Sequence, residues 1–484
     1  MEPTSDDELL WLPAWRIAQE IAAKRVSPVE VTELALGRID RLDGTLHAFL
    51  TVTPEVARAQ ARAAEVAVMR GDDLGPLHGV PVSIKDCLWT KGVRTTCGSL
   101  HFEDFVPAED SVVAERLHAA GTVLVGKTNT PEFCAFGRTV NRLQPECVNP
   151  WDPTRIPGAS SGGAAASVAA GSTPIAVGTD GGGSVRLPAA LCGVVGLLPS
   201  LGRVPGYGTI AETPASRAGP ISRDVRDNAL MLEVIAGADP RESRSIPGPA
   251  PAFAHSLDAG IEGLRMAWTP DFGHLPVHEP AVIEAAARTA FALAGAGARV
   301  EELGSALDDA RWLIVVLEQT DEFVALLRSF FDDPEKAALL SGFFFDPSNT
   351  GASPEATPHR DDELARARAE AERIRRNFSA CFERYDVLLS PTFGRVAPKI
   401  PPGWQWPVPM DEWIAYTYLT NMTGTPSVSV PCGDVSGLPV GLQVMGRFGD
   451  EATILRVAAA LEELQPWSGR RPPPLPSVEV EDSG

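Results

Sequence analysis

The chain has 484 residues, with 42 Lys+Arg against 63 Asp+Glu for a formal net charge of −21, and 44% of its residues are hydrophobic. That much apolar material builds a substantial core, and 22% charged residues are too few for a disordered polyelectrolyte. The negative charge repels phosphate backbones and anionic lipid, so binding to nucleic acid or a membrane surface would need a basic patch, and nothing longer than Arg373 to Arg376 offers one.

The first ten residues carry Glu2, Asp6, Asp7 and Glu8 without a basic or apolar stretch, so no secretory signal is visible. No run approaches the roughly 18 apolar residues of a spanning helix. The seven cysteines, Cys87, Cys97, Cys134, Cys147, Cys192, Cys381 and Cys432, are odd in number, scattered and never CxxC. Reduced thiols in a cytoplasmic protein fit that usage.

Ser27-Pro28-Val29-Glu30 supplies a capping hydroxyl, a proline at the first helical position and a returning carboxylate, which starts a helix. Thr53-Pro54 opens another that runs to about Arg70. Val80 to Ile84, Thr122 to Val125 and Ile175 to Gly178 are short, β-branched and bounded by Gly or Pro, as buried strands are. Pro240 to Ala252 reads as a connector, Leu264 to Trp268 as a strand and Pro280 to Ala296 as a helix. Asp346 to Asp362 reads as an exposed loop, and Leu364 to Tyr385 as a long amphipathic helix. From about Pro466 the chain turns proline-rich and acidic, which predicts a frayed tail over 466–484. Helices alternating with strands indicate an α/β sheet.

Two serine-glycine clusters carry the chemistry: Pro157-Gly158-Ala159-Ser160-Ser161-Gly162-Gly163 and Gly178-Thr179-Asp180-Gly181-Gly182-Gly183-Ser184-Val185-Arg186. Successive glycines let backbone N–H groups converge on one point, a trap for the oxyanion that forms when a hydroxyl attacks a carbonyl. Lys85 ends an apolar strand, where burial disfavours its ammonium and makes the neutral amine available as a base. An unaided serine hydroxyl needs such a partner.

Together, Lys85, the Ser160-to-Gly163 cluster and Gly178 to Pro188 resemble the amidase signature family. The likeness extends through Gly126 to Phe133, Asn149-Pro150-Trp151, Cys192 to Leu197, Ala218 to Ile221 and Pro439 to Gln443. It implies an α/β fold with a mixed, mostly parallel twisted sheet between helices, as a single domain over 1–465 with a variable, pocket-shaping part at about 300–413. It also implies a Ser, cis-Ser, Lys triad. Ser184 would be the nucleophile, and Ser160, joined to Ala159 by a cis peptide bond, would relay its proton to Lys85. Gly181, Gly182, Gly183 and Ser184 would form the oxyanion hole, backed by Ser161, Thr179, Asp180 and Arg186. Ala159 stands where the family usually has glycine, and Leu198 and Leu201 replace its common basic residues, which weakens any transfer of substrate preference.

Gly158 to Gly162 also matches G-x-S-x-G, the nucleophile elbow of α/β-hydrolases, which would need a late histidine. The histidines after Ser160, His255, His274, His278 and His359, all sit in Pro/Gly/Asp-rich surroundings. Trp404, Trp406 and Trp413 lie among prolines and can wall a pocket or simply fill core, as can Phe343 to Phe345. Phe133, Cys134, Trp404 and Trp413 are taken as pocket candidates.

The reading is a hydrolase of amide-type C–N bonds, acting on small, aryl, carbamate or oligoamide substrates with aryl acylamidase, urethanase or esterase side activity. It needs no metal or organic cofactor and no nucleic-acid or membrane partner, as a cytoplasmic monomer or homodimer. The alternatives are an amidase subunit that supplies ammonia to a glutamine-dependent amidotransferase, and a non-catalytic scaffold of the same fold.

Overall fold

The computed structural model describes residues 6–209, 213–317, 321–346 and 361–475. Most of the loop expected at Asp346 to Asp362 lies outside the described residues, as does His359. Among the described residues eleven strands build one sheet: β1 (Phe49–Val52), β2 (Pro81–Lys85), β3 (Val123–Thr128), β4 (Ile175–Asp180), β5 (Val195–Leu198), β6 (Arg217–Ser222), β7 (Arg265–Trp268), β8 (Arg299–Glu302), β9 (Val387–Pro391), β10 (Ser427–Val435) and β11 (Leu438–Gly446). Their spatial order is β1-β3-β2-β4-β6-β5-β10-β11-β9-β7-β8.

The helices that frame the site are α1 (Pro28–Leu46), α2 (Pro54–Arg70), α3 (Gly162–Ala169), α4 (Arg186–Cys192), α5 (Val225–Ile235), α6 (Pro280–Ala292), α7 (Leu313–Leu317), α8 (Asp361–Arg384), α9 (Tyr418–Thr423) and α10 (Glu451–Leu464). α1 starts as its sequence dictates: Ser27 Oγ accepts from Val29 N at 3.0 Å, and Glu30 accepts from Ser27 N at 3.5 Å. Every residue of α3 and α4 is buried, which the small side chains of α3 permit. α3 packs on β4, and α4 on β10 and β11.

Strand alternation sorts the side chains between two cores. Val387 and Leu389 of β9 join the main cluster, while Leu388 between them joins a second one built around α8, Trp413, Tyr418 and Met445. In β2, Val82 and Ile84 enter the main cluster, so Ser83 and Lys85 point to the other face of the sheet.

The α/β architecture and mixed sheet are those expected, but the parallel majority is not. Among the described residues four strand pairings are parallel, β2–β3, β2–β4, β7–β8 and β7–β9; the other six are antiparallel. β6 inserts antiparallel between β4 and β5, and β10–β11 is a hairpin, which needs no helical crossover. The tail also departs from expectation through residue 475. Trp467 is buried and donates its indole N–H to Arg223 O at 3.0 Å, while Arg471 forms a two-point pair with Glu8 at 2.7 Å. A proline-rich segment lacks internal hydrogen bonds, and side-chain anchors order it instead. No described helix is long and apolar enough to cross a membrane.

Where α10 meets α5, burial pushes the Glu462 carboxyl up to about 8, with repulsion from Asp224 and Asp227 acting the same way. A raised acid is protonated in the fold but ionised in the unfolded chain, so its contribution to stability is full below about 4.5 and is lost as pH rises toward 8. Glu462→Gln removes that loss. Its melting temperature should gain on the parent progressively from pH 5 to pH 8, and a gap constant across this range would show that Glu462 is already ionised in the fold at pH 5.

Candidate active site

The site forms where the C-terminal ends of β2 and β4 lie side by side. Ile84 pairs with Val177, so Lys85 at the end of β2 comes level with Gly178, one residue before Thr179 near the end of β4. Lys85 is fully buried. Its Nζ donates to Ser160 Oγ at 2.6 Å and to Thr179 Oγ1 at 2.9 Å, with Thr179 O at 3.4 Å. Ser160 is reached through a cis peptide bond from Ala159, just before α3. The Ser160–Ser161 turn is fastened to the second cluster. Ser161 N donates to Ser184 O at 3.1 Å, and Ser161 Oγ exchanges hydrogen bonds with the N–H and C=O of Thr179, both at 3.2 Å. Gly178 makes this crossing possible, since a Cβ there would stand 2.6 Å from Ser161 Oγ.

After β4 the chain wraps around its own carboxylate. Asp180 accepts from Gly183 N at 2.7 Å and Val185 N at 3.1 Å, and its two oxygens receive Arg186 Nε and Nη2 at 2.9 Å each. Asn421 Nδ2 adds bonds to Asp180 Oδ1 and O at 2.9 and 3.0 Å. Burial alone would raise the Asp180 carboxyl, but the Arg186 charge and these hydrogen bonds outweigh it and hold the group below the usual carboxylate range. Arg186, also fully buried, spends its remaining donors on Thr417 O, Thr420 Oγ1, Ser427 Oγ and Gln443 Oε1 at 2.7–3.0 Å.

This wrapping divides the four expected oxyanion donors. Gly183 N is committed to Asp180, whereas the amides of Gly181, Gly182 and Ser184 have no partner among the described residues. Gly183 has φ +127°, and a Cβ there would collide with Thr417 Oγ1 and Leu187. Thr417 Oγ1 donates to Gly182 O at 2.6 Å, which fixes the direction of the peptide that carries the Gly183 amide.

Ser184 is half-buried, and its Oγ has no hydrogen-bond partner among the described residues. The amine and the first hydroxyl are therefore joined, while the link from Ser160 to Ser184 is open in the free protein. Such contacts commonly tighten only when substrate is bound. The histidine-dependent elbow finds no support: Ser160 bonds an amine, and His274 and His278 face Asp309 and Glu412 instead.

The pocket candidates separate. Cys134 bonds Thr130 Oγ1 at 3.4 Å, while Phe133 stacks on Phe330 at 5.9 Å. Trp413 is only 4% exposed and packs edge-on against Phe393 at 5.2 Å, a core position. Trp404 packs on Gly342, and Trp406 against Phe136 at 5.2 Å. The residues at the glycine turn are ones the sequence did not single out. A Cβ on Gly182 would stand 3.2 Å from Ile314 Cδ1, 3.7 Å from Ile414 Cγ2 and 4.0 Å from Tyr418 Cδ2. Asn421 and Thr417 lie in a stretch that also holds Thr420, Thr423 and Thr425, and nothing local ties them to Asp180 and Gly182.

An amine bonded to a serine, beside a turn of open amides that bears a second serine, is the layout acyl transfer requires. The family model described as Amidase matches residues 30–455, and the chain belongs to the amidase signature family of hydrolases acting on carbon–nitrogen bonds. A glutamyl-tRNA(Gln) amidotransferase subunit of Chloroflexus aurantiacus is 40% identical over 476 residues, covering 93% of this chain and 96% of that protein. The crystal structure of a bacterial aryl acylamidase of the same family superposes with TM-score 0.85 at 28% identity, over 95% of this chain and 97% of that one. The corresponding glutamyl-tRNA(Gln) amidotransferase subunit from Thermotoga maritima gives 0.77 at 30% identity, over 94% and 95%.

Arg186→Met would leave Asp180 buried without its countercharge, a change that costs about 3–5 kcal/mol. Urea unfolding should show a loss of that size, whereas Arg373→Met, in an exposed pair with Glu370, should stay within about 0.5 kcal/mol of the parent.

Proposed function

We propose that the chain hydrolyses amides whose acyl or amine part is apolar, through an acyl-enzyme on Ser184. The observation that carries this is the 2.6 Å contact from Lys85 Nζ to Ser160 Oγ beside the open amides of the glycine turn. Neutral Lys85 takes the Ser184 proton by way of Ser160 while Ser184 Oγ attacks the carbonyl. The amides of Gly181, Gly182 and Ser184 receive the oxyanion. The relay then returns its proton to the leaving nitrogen, and the amine departs. Water, deprotonated by the same relay, attacks the acyl-enzyme and releases the acid. A carbamate cleaved at its C–N bond would leave an alkoxycarbonyl-enzyme, whose hydrolysis gives a carbonic acid monoester that breaks down to alcohol and carbon dioxide, a urethanase reaction, and an ester would follow the same path with an alcohol leaving.

The substrate class follows from what surrounds the turn. Ile314, Ile414 and the Tyr418 ring next to Gly182 favour an apolar or aromatic group. The higher structural similarity to the aryl acylamidase supports the same reading. Glutamine would bring an ammonium and a carboxylate, and desolvating them costs several kcal/mol unless they are paired.

One observation favours a second reading. The relatives at 37–40% identity are amidotransferase subunits, so the same chemistry on glutamine would liberate ammonia for a partner subunit. With a net charge of −21, contacts to tRNA phosphates would fall to that partner.

Steady-state rates on a panel of anilides, aliphatic amides, aryl carbamates and glutamine distinguish the readings. Anilides should lead in kcat/KM; a preference for glutamine, with copurification of a second subunit, would replace the first reading by the second. Ser184→Ala and Lys85→Ala should each cost about 10³-fold or more. Ile414→Ala should lower kcat/KM for a bulky anilide by roughly 10-fold or more while sparing acetamide. A sulfonyl fluoride should label Ser184, and failure of both labelling and turnover would leave a non-catalytic scaffold.

A further inference from the structure

Three thiols meet beside Lys85, and the chemistry proposed above uses none of them. Cys87 Sγ lies 3.7 Å from Thr179 Oγ1, the same hydroxyl that receives the Lys85 amine at 2.9 Å. Cys134, on the turn that follows β3, has its Sγ 3.4 Å from Thr130 Oγ1. The Cys134 sulfur lies close to the side chains of both Cys87 and Cys97. Their backbones are strapped together as well: Phe133 N donates to Cys97 O at 2.9 Å, and Cys97 N to Asp86 O at 2.7 Å. Cys87 and Cys97 are buried, whereas Cys134 is half-buried, so a small reagent meets Cys134 first.

The neighbouring thiols of Cys87 and then Cys97 hold the Cys134 thiol well below the usual thiol range. The thiolate is the form that attacks a peroxide.

We propose that Cys134 is an oxidative modification site that closes a disulfide with Cys97 or Cys87 and thereby disarms the adjoining lysine. The oxidant is a hydroperoxide such as hydrogen peroxide. The Cys134 thiolate attacks one peroxide oxygen, so that an S–O bond forms, the O–O bond breaks and hydroxide leaves as water after protonation. The resulting sulfenic acid is attacked by the neighbouring thiol; the S–S bond forms, the S–O bond breaks and a second water departs with the thiol proton. Two electrons pass from the sulfurs to the peroxide. A disulfide brings its sulfurs to about 2.05 Å, closer than hydrogen-bonded thiols. Either Cys87 then gives up its contact with Thr179 or the 130–134 turn shifts against Cys97, and in both cases the packing around the Lys85–Thr179–Ser160 contacts changes. The inhibition rests on Lys85 acting as the base, whereas the disulfide does not.

The test treats the full chain with hydrogen peroxide, removes the excess with catalase, alkylates free thiols and maps peptides without reduction, with anilide hydrolysis followed in parallel. The Cys134 peptide should be joined to that of Cys97 or Cys87. Activity should fall about a hundredfold, the size of a general-base contribution, and return with dithiothreitol. Cys134→Ser should abolish both the link and the peroxide-dependent loss relative to its own untreated rate, while Cys432→Ser retains both. Absence of a Cys134 link, or a loss that Cys134→Ser does not prevent, overturns the proposal, as does a link formed without loss of activity. Untreated protein that hydrolyses no amide would count against the hydrolase reading instead, and the peptide map would still report on the disulfide.

Discussion

A buried ion pair organises this molecule around its glycine turn. Asp180 and Arg186 are both fully buried, and taking two charges out of water costs several kcal/mol each. The pair persists because its hydrogen-bonding capacity is filled. The carboxylate gathers backbone amides from its own loop, and the guanidinium reaches Thr417, Thr420, Ser427 and Gln443 on α9, its preceding residue, β10 and β11. One interaction thus closes the turn after β4 and ties it to the far half of the sheet. The direction of the Gly181, Gly182 and Ser184 amides is a by-product of that closure.

The same principle separates two buried lysines on neighbouring strands. Lys127 on β3 donates to Leu88 O at 2.8 Å and Thr95 Oγ1 at 2.6 Å and pairs with Asp86 at 3.5 Å. Burial lowers it, and the Asp86 charge works in the opposite direction. Lys85 meets no carboxylate among the described residues; its neighbours are hydroxyls and a carbonyl. The thiol of Cys87 shares this surrounding, 3.7 Å from the Thr179 hydroxyl that receives the amine.

Local signals were legible. The Ser27 cap and the Thr53-Pro54 start place α1 and α2, and Pro54–Arg70 agrees with its expected bounds, because capping and helical periodicity act within a few residues. The paired serine-glycine clusters and Lys85 were legible as a set because small residues are required wherever backbone approaches backbone. Strand direction was not: nothing within β6 records that it runs antiparallel between β4 and β5. Trp413 shows the same limit, since a tryptophan near prolines suits a pocket wall or a core equally, and the choice was made by Phe393, which is remote in sequence.

By itself the sequence determined the family, the α/β class, the helix starts and the residues able to carry acyl transfer, since each is written in short-range chemistry: caps, glycine runs and a strand-end lysine. The tertiary structure alone decided that Ser160 is bonded to the amine while Ser184 stands apart from it, which amide of the glycine turn is taken up by Asp180, and that Ile314, Ile414 and Tyr418 gather beside Gly182. These depend on contacts between distant segments, whose cost in chain entropy is met only when the whole sheet assembles.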